Sequence, residues 1–489
     1  MKEFERFKKM FSPKTIAVIG ASFNLKKWGF HILHNILSGG YKGKVFPVNV
    51  RGEDVLGLKG YKSIKEIEYP IDLAIIVVPR EALFDVLKEC VEKKVNAVFV
   101  VTAGFAELGE AGKKMQEDIR DFAIQNDLML AGPNGEGIVN ARIRLYAQMA
   151  IHQPKAGKLS MVSQSGNVGA TMMQLADMSC YGFCKFISSG NEAVLKLPDY
   201  IDFFAQDDDT DTIVAYIEGI KDGKRLIQSL KNASMKKRVI VIKGGKTEGG
   251  LKAAQSHTGA MTSDTAIFEA AIKQTGAIYV DGLQELYDCA QILVREPLPK
   301  GNRVGILTVG GGWGVLAADA CERYGLKIAQ LKEETLKKLD TVMPPWWARN
   351  NPVDSAGGGK RKTMTYGVEV LMEAEEVDSV IVLGNALGVM STAVMKKSPY
   401  YDQGLNLASA IIKDAEMEVV EVYDRLINTY KKPLILSTDA KHNAYEIKNE
   451  VILALEERGI PVFHSPERAA KALSYLTEYA RRIERIREK

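Results

Sequence analysis

Short apolar runs of strand-forming residues alternate with longer amphipathic stretches along the whole chain. The runs are bounded by glycine, proline and polar residues, and the stretches between them have helical periodicity. The pattern predicts stacked βαβ units in parallel sheets, which is an α/β fold. The predicted strands are 16–19, 45–48, 73–78, 97–101, 128–130, 159–162, 183–187, 212–217, 239–242, 304–309, 380–383 and 434–436.

The 489 residues are too many for one hydrophobic core, and two segments interrupt the strand pattern. The first segment holds Pro154 and Gly157, and the second is the proline-rich stretch 297–302. We therefore predict three α/β domains. Their bounds are 1–135 for a Rossmann-like domain, then 150–296 and 301–489.

Charge and cysteine content exclude several classes of protein. The net charge of +4 is too small for this length to indicate nucleic-acid binding, and no basic run is interleaved with aromatic residues. No segment has the pattern of a signal peptide or a transmembrane helix. The five cysteines form no CxxC pair, and no Cys, His and Asp cluster has metal-ligand spacing. We therefore expect a soluble cytoplasmic protein with reduced thiols and no bound metal.

A glycine turn follows the first predicted strand. Residues 20–22, Gly-Ala-Ser, lead into a helix that carries Lys27 and Gly29, and such a turn at a helix N-terminus suits an anion. The turn lacks the full G-x-G-x-x-G pattern, so an ordinary turn without a ligand is an alternative. The second strand is followed by Asn49 and not by an acidic residue, which argues against a dehydrogenase. Further strand ends border the same crevice at Val78, Pro79, Ala103, Gly104 and Phe105.

A serine turn, residues 163–167, follows the first strand of the predicted second domain. Gly166 permits a tight turn, and the next helix offers free N–H groups and its positive dipole end to a phosphate. The same residues are also typical of an ordinary serine helix cap, which needs no ligand.

Glu218 and His257 lie in the same predicted domain as the serine turn. Neutral imidazole is a nucleophile, and Thr258 and Gly259 leave the ring unobstructed with backbone N–H groups beside it. Glu218 follows a buried strand, where a carboxylate can hold one ring nitrogen and stabilise imidazolium. The alternatives are a loop histidine without chemistry and a surface glutamate in a turn. Because all three features occur in one domain, the sequence favours a histidine that carries a phosphoryl group.

The order of these motifs resembles that of the alpha subunit of ADP-forming acyl-CoA (acetate–CoA) ligases, in the succinyl-CoA synthetase superfamily. The resemblance covers nearly the whole chain, and SHTGA at 256–260 is its most specific motif. It implies a CoA-binding domain, a phosphohistidine ligase domain and a second flavodoxin-like ligase domain. The other supporting motifs are 20–22, 27–29, 47–49, 103–107, 132–134, 163–166, 188–191, 310–312 and 351–354.

The resemblance implies a role for each motif. His257 would carry the phosphoryl group, and Glu218 would stabilise the phosphohistidine. The residues that border CoA would be Gly20, Ala21, Ser22, Lys27, Asn49, Arg51, Val78, Pro79, Ala103, Gly104 and Phe105. Phosphate would be held by Ser165, Gly166 and Asn167, with Thr258 and Gly259 as further phosphate-binding residues.

The implied reaction is reversible: acyl-CoA, phosphate and ADP give a small carboxylic acid, CoA and ATP through an acyl phosphate and a phosphohistidine. None of the three predicted domains supplies the ATP-grasp fold that binds the nucleotide. We therefore expect Mg-ADP on a separate ATP-grasp beta subunit, in an alpha2beta2 heterotetramer. His257 would then move between two sites, and Gly244, Gly245, Gly249 and Gly250 would supply the hinge. The alternative is a flexible surface loop with no such role.

The chain departs from the family pattern in four places. Residues 135–137, Gly-Glu-Gly, stand where the family usually has cysteine after Gly-Pro-Asn, and 244–247, Gly-Gly-Lys-Thr, replace a common Gly-Arg-Ser turn. Trp313 follows the third glycine turn where proline is common, and Trp346-Trp347 precedes the motif at 351–354. The last two departures fall in the third predicted domain and leave the SHTGA segment unchanged.

Two other functions fit parts of the sequence. A CoA- or nucleotide-sensing binding module with an inactive ligase fold would keep the turn at 20–22, but it has no need for both Glu218 and His257. An NAD-dependent oxidoreductase is disfavoured by Asn49. The sequence therefore favours the enzyme.

Overall fold

The computed structural model describes residues 2–258, 265–357, 361–384, 387–441 and 449–487. These residues form three sheets, in which nearly all strand pairs are parallel. The chain divides into two compact units, one of Met1–Met178 with Gly182–Tyr287 and one of Ser179–Tyr181 with Asp288–Lys489. The first unit holds two sheets and the second holds one. The α/β class predicted from the sequence is confirmed.

The first sheet is entirely parallel. Its strands are β1 (Thr15–Ile19), β2 (Lys44–Val48), β3 (Leu73–Ile76), β4 (Ala97–Val100) and β5 (Met129–Ala131), and its helices are α1 (Lys2–Phe11), α2 (Trp28–Gly39), α3 (Arg80–Glu92) and α4 (Glu110–Gln125). The strand order is β2-β1-β3-β4-β5, a doubly wound, Rossmann-like arrangement with its switch point between β1 and β3. Strands β1, β3 and β4 are buried along their whole length because helices cover both faces.

The second sheet combines five parallel strands with an antiparallel pair at one edge. Its strands are β6 (Gly137–Asn140), β7 (Leu145–Gln148), β8 (Leu159–Ser163), β9 (Lys185–Ser188), β10 (Thr212–Ile217), β11 (Arg238–Lys243) and β12 (Ile278–Val280). Its helices are α5 (Gly166–Met178), α6 (Leu197–Gln206), α7 (Gly223–Ser234), α8 (Glu248–Thr258) and α9 (Thr265–Thr275). Helix α10 (Leu283–Arg295) follows, and its residues from Asp288 onward belong to the second unit. The order β12-β11-β10-β8-β9 is that of flavodoxin-like sheets, with the switch point between β8 and β10.

The third sheet, in the second unit, is again parallel. Its strands are β13 (Arg303–Thr308), β14 (Lys327–Ile328), β15 (Val353–Asp354), β16 (Ser379–Leu383), β17 (Leu434–Ser437) and β18 (Val462–Phe463). Its helices are α11 (Gly311–Arg323), α12 (Glu333–Asp340), α13 (Arg361–Glu373), α14 (Leu387–Met395), α15 (Leu405–Tyr430), α16 (Glu450–Glu457) and α17 (Pro466–Arg487). The order β14-β13-β16-β17-β18 repeats the flavodoxin-like order, with β15 beside β13.

Helix α1 packs on the second sheet's layer of helices through aromatic rings. Phe7 and Phe11 stack on Phe203 of α6, with ring centroids 5.4 and 5.1 Å apart. Such ring pairs add to the burial of their apolar surface, and they fix the N-terminal helix within the first unit. None of the helices that the structure describes is both long and apolar enough to span a bilayer.

Glu296, directly after α10, is a buried carboxyl in the second unit. One of its oxygens accepts a hydrogen bond from the N–H of Leu434 in β17 (3.0 Å). Burial raises the pKa of Glu296 from 4.5 to about 8, although that hydrogen bond and the charge of Arg295 act against the shift. The folded chain therefore keeps a proton that the unfolded chain loses above pH 4.5, and stability falls as the pH rises towards 8.

We expect Glu296→Gln to remove this pH dependence, because the amide keeps the acceptor for Leu434 but does not ionise. The difference in the free energy of unfolding between the variant and the parent should change by up to about 1.4 kcal/mol per pH unit across this interval. Denaturant unfolding at a series of pH values measures it, with the exposed Glu322→Gln on α11 as the matched control. The same dependence of unfolding free energy on pH in the parent and in Glu296→Gln would contradict a raised pKa for Glu296.

Candidate functional site

The serine turn and Glu218 meet at the switch point of the second sheet. Strand β8 ends at Ser163 and β10 ends at Ile217, and these two strands are direct neighbours. At a switch point, helices leave adjacent strands towards opposite faces, so the loops between them border a crevice. The structure therefore brings together two motifs that lie more than 50 residues apart in the sequence.

The serine turn is closed by its own side chain. The hydroxyl of Ser163 donates to the carbonyl of Ser165 (2.5 Å) and accepts from its N–H (3.2 Å). Helix α5 begins at Gly166, so the N–H groups of its first turn are offered at the crevice. A Cβ at Gly166 would lie 2.4 Å from the Cβ of Glu136, which explains the glycine. Asn167 is the next residue of this helix and is exposed.

Glu218 is buried, with 8% of its surface exposed, so the reading of a surface glutamate is wrong. The Tyr216 hydroxyl donates a hydrogen bond to its carboxylate, and this charge together with burial raises the pKa of Tyr216. A Cβ at Gly244 would lie 2.4 Å from the Tyr216 oxygen and 3.3 Å from the Glu218 Cγ. Glycine is therefore required where the chain leaves β11 beside this carboxylate.

Lys243, the last residue of β11, lies next to Glu218 and is 3% exposed. Its ammonium donates to the carbonyls of Gly244 (3.0 Å) and Glu218 (3.3 Å). Burial lowers the pKa of Lys243, whereas the charge of Glu218 raises it. The lysine ties the ends of β10 and β11 together and places a positive charge at a site suited to an anion.

His257 lies in the last turn of α8, which ends at Thr258. A loop at this position, the alternative considered from the sequence, is therefore wrong. The side chains of His257 and Thr258 and the whole of Gly259 lie outside the described residues. Of the four predicted hinge glycines, two belong to α8, so a hinge is confined to Gly244 and Gly245 before the helix.

The glycine turn at 20–22 lies at the switch point of the first sheet. Gly20 has φ +97°, and a Cβ there would lie 2.1 Å from the carbonyl oxygen of Val77. A Cβ at Gly29 would lie 2.1 Å from the carbonyl oxygen of Gly20. The turn, β3 and the start of α2 therefore approach one another as closely as backbone permits. Ala21 is buried and Ser22 is half-buried.

An exposed, partly apolar rim surrounds this turn. Lys27 is the N-cap of α2 and is exposed. The side chain of Asn49 accepts from the N–H groups of Arg51 (3.2 Å) and Glu53 (3.0 Å), which shapes the loop after β2. The large apolar side chains exposed on these loops are Phe23, Leu25, Trp28 and Val50. Such a rim suits a ligand with both charged and apolar parts.

The ends of β3 and β4 complete the same edge. The Thr102 hydroxyl donates to the carbonyl of Val78 (2.7 Å), and Arg80, after Pro79, donates to the carbonyl of Gly104 (3.0 Å). Glu107 accepts from the N–H of Gly104 (2.6 Å) and from the side chain of Asn191 (2.6 Å). Burial alone would raise the pKa of Glu107, but these hydrogen bonds lower it. Two further residues named from the sequence, Ala103 and Phe105, lie in this loop.

Glu136, which belongs to the departure from the family pattern at 135–137, is buried against Gly166 of the serine turn. It accepts a hydrogen bond from the N–H of Ala150 (2.7 Å). Burial raises the pKa of Glu136 to about 7, although the N–H groups of Ala150 and Met149 act against it. Gly135 faces Phe99, whose ring would lie 2.5 Å from a Cβ. A cysteine side chain at that position therefore has no room in this chain.

The third sheet has a similar turn at its own switch point. Thr308 donates its hydroxyl to the carbonyl of Gly310 (2.8 Å) and accepts from the N–H of Gly310 (3.2 Å), as Ser163 does with Ser165. Helix α11 follows, and the turn lines a cavity of about 260 Å³ with Trp313 and Asp439. Trp347 is buried and donates to Asp340 (2.9 Å), so this departure from the family pattern packs the core.

Among the described residues, Cys184, Asp207 and Asp209 have the chemistry of metal ligands. The Lys185 ammonium, however, lies 2.7 Å from Asp207 and 3.4 Å from Asp209. The buried ammonium of Lys185 thus lies where a metal ion would lie between the two carboxylates, and it balances their charge.

Several residues of the second-sheet site were not predicted from the sequence, namely Gln164, Glu192, Tyr216 and Lys243. Lys243 had a signal, since it is a charged residue at the end of an apolar strand. Glu192 directly follows the motif at 188–191, but it lies 28 residues from Gln164, and the fold brings its carboxyl to the serine turn.

Known domain families match the chain in the order of its sheets. Residues 14–141 match the CoA binding domain, 156–293 the succinyl-CoA ligase like flavodoxin domain, and 304–399 the Ligase-CoA domain.

Similar proteins match along the full chain. The chain is 38% identical to the alpha subunit of acetate–CoA ligase (ADP-forming) II of Pyrococcus furiosus, over 97% of this chain and 98% of that one. It is 36% identical to acetate–CoA ligase (ADP-forming) of Methanocaldococcus jannaschii, over 96% of this chain but 62% of that longer one. The solved dinucleotide forming acetyl-coenzyme A synthetase 1 of Ca. Korarchaeum cryptofilum, in complex with phosphate and ADP, matches with a TM-score of 0.85 and 30% identity, covering 100% of this chain and 99% of that one.

Proposed function

The chain belongs to the family of ADP-forming acetate–CoA ligase alpha subunits, and from this premise we propose that it interconverts acyl-CoA, phosphate and ADP with a carboxylic acid, CoA and ATP. The proposal is carried by one observation. The serine turn and the buried Glu218 adjoin at a single switch point, and α8, the helix after the neighbouring strand β11, carries His257 in its last turn.

The proposed chemistry has three steps. Phosphate is held by Ser165, Gly166 and Asn167, and one of its oxygens attacks the thioester carbon. The C–S bond breaks, CoA leaves as the thiol, and the acyl phosphate stays in the site. A ring nitrogen of neutral His257 then attacks phosphorus, and the P–O bond breaks to release the carboxylate. Finally, an oxygen of ADP attacks the same phosphorus and the P–N bond breaks, which gives ATP and free histidine.

Glu218 is proposed to balance the positive charge of the phosphohistidine ring. Its burial strengthens this interaction, because the effective dielectric constant is lower there than in water. Lys243, Thr258 and Gly259 are proposed to face the phosphoryl group as a cation and as N–H donors.

We assign ADP, as Mg-ADP, to a separate ATP-grasp beta subunit in an alpha2beta2 heterotetramer. The support is a comparison of lengths. The Pyrococcus furiosus relative is named as an alpha subunit, and this chain covers 98% of it. The Methanocaldococcus jannaschii relative is not named as a subunit, and this chain covers only 62% of its length. In this scheme α8 carries His257 between the two sites, with Gly244 and Gly245 as the hinge. We retain 1–135, 150–296 and 301–489 as the domain bounds.

CoA is assigned to the carboxyl edge of the first sheet. The turn at 20–22 and the start of α2 would hold its phosphates, with Lys27 and Arg51 as cations. The exposed apolar rim, Asn49, and the strand ends at Val78, Pro79, Ala103, Gly104 and Phe105 would border the rest of the molecule.

We expect the purified chain to bind CoA and not NADH, and Gly20→Ala to weaken CoA binding by at least about tenfold. A side chain at φ +97° with Val77 2.1 Å away must displace the turn, and a loss of 1.4 kcal/mol is already tenfold. Calorimetric titration measures the affinity, with Gly282→Ala as the control because nothing lies within 4 Å of its Cβ position. Lys27→Ala, at an exposed position, tests the same site without backbone strain. NADH binding in place of CoA would refute the proposed ligand.

A further inference from the structure

Gln164, inside the serine turn, connects this turn to Glu218. Its side-chain oxygen accepts from the N–H groups of Glu218 (2.6 Å) and Gly219 (3.0 Å). Its side-chain nitrogen donates to the carbonyl of Gly219 (3.0 Å) and to the carboxyl of Glu192 (3.0 Å). All the hydrogen-bonding capacity of the amide is thus used, and three of its bonds hold the Glu218–Gly219 backbone.

Glu192 in turn fixes Gln164. Its carboxyl is buried, and the oxygen that accepts from Gln164 also accepts from the Ser189 hydroxyl (2.8 Å). Lys221 donates to the carbonyl of Glu192 (3.1 Å) and to that of Asn191 (2.6 Å). Burial raises the pKa of Glu192, while its bond from Gln164 and the charge of Lys221 lower it. Gln164 therefore has one side-chain conformation compatible with its neighbours.

The network reaches the first sheet as well. Asn191, next to Glu192, donates to Glu107, which holds the N–H of Gly104 at the edge assigned to CoA. A buried network whose hydrogen bonds are all made in one arrangement holds its residues rigidly in place.

We propose that Gln164 and Glu192 form a positioning pair that holds Glu218 at a fixed distance from the serine turn, and thereby from the phosphoryl group; this inference rests on the proposed function. Neither residue touches the reacting atoms. Their effect is exerted through Glu218, and a displacement of about 1 Å at such a site can cost about 100-fold in rate.

The first test is Gln164→Leu, which keeps the bulk of the side chain and removes its four bonds. The complex with its partner subunit is given acetyl-CoA and radiolabelled inorganic phosphate without ADP, and phosphohistidine formation is followed. We expect the rate constant to fall about 10- to 100-fold, with the KM for acetyl-CoA changed less than about threefold. Formation at the parent rate would overturn the inference.

The second test exchanges the two partners. Gln164→Glu alone sets two carboxyl groups against each other and should slow the step at least as much as Gln164→Leu. Adding Glu192→Gln restores a donor and an acceptor with the direction of the bond reversed, and the double variant should recover about tenfold over Gln164→Glu. A purely structural role for each residue predicts additive losses, so a double variant slower than Gln164→Glu would overturn the pairing. If the parent complex forms no phosphohistidine, both the proposed function and this inference fail. If the parent forms it and Gln164→Leu forms it at the same rate, only this inference fails.

Discussion

Replacing His257 with alanine is expected to abolish turnover and to leave the chain unlabelled by ATP that carries a radioactive terminal phosphate. Without the ring nitrogen no P–N bond forms, and the acyl phosphate has no route to ADP. Removal of a covalent nucleophile costs about 10⁴-fold or more, so residual activity should be below detection. The measurement is labelling of the chain in the presence of its partner subunit, together with ATP formation from acetyl-CoA, phosphate and ADP.

The matched control for this variant is His34→Ala, an exposed histidine on α2. It should label and turn over as the parent does. Label that persists on the His257→Ala chain would show that another residue carries the phosphoryl group.

Glu218→Gln should slow phosphohistidine formation by about 100-fold or more. The amide is isosteric and keeps a hydrogen-bond acceptor, but it has no charge with which to balance the phosphohistidine ring. The backbone of Glu218 is held independently of its side chain, by Gln164 at its N–H and by Lys243 at its carbonyl. The variant is therefore expected to fold, and rapid-quench labelling isolates the chemical step.

Asp208→Asn, an exposed acid in the loop before β10, is the control for the charge change. It should leave the labelling rate unchanged. Equal labelling rates for the parent and Glu218→Gln would remove Glu218 from the mechanism.

Much of the fold follows from the sequence because buried parallel strands are continuous apolar runs. The predicted runs 16–19, 97–101 and 212–217 correspond to β1, β4 and β10 within a residue at either end. The strands that escaped prediction are short or lie at sheet edges, as with β6, β7, β14, β15 and β18. Their positions depend on partners distant in sequence, which periodicity does not reveal.

The site was predictable to the extent that switch-point loops carry local signals. The serine turn and Glu218 each follow a recognisable strand, whereas the adjacency of these two strands was not predicted and is seen only in the structure. The conformation around His257 was not predictable: its glycine-rich approach suggested a loop, yet Gly249 and Gly250 are helical. The bonds of Gln164 and Lys243 likewise depend on three-dimensional proximity between residues far apart in sequence.

The most direct test of this account is mass spectrometry of the chain with its partner subunit, quenched at alkaline pH during turnover of acetyl-CoA, phosphate and ADP. Alkaline conditions preserve a P–N bond, so the account predicts a phosphoryl group on the ring of His257. An unmodified His257 in a complex that is forming ATP would contradict it.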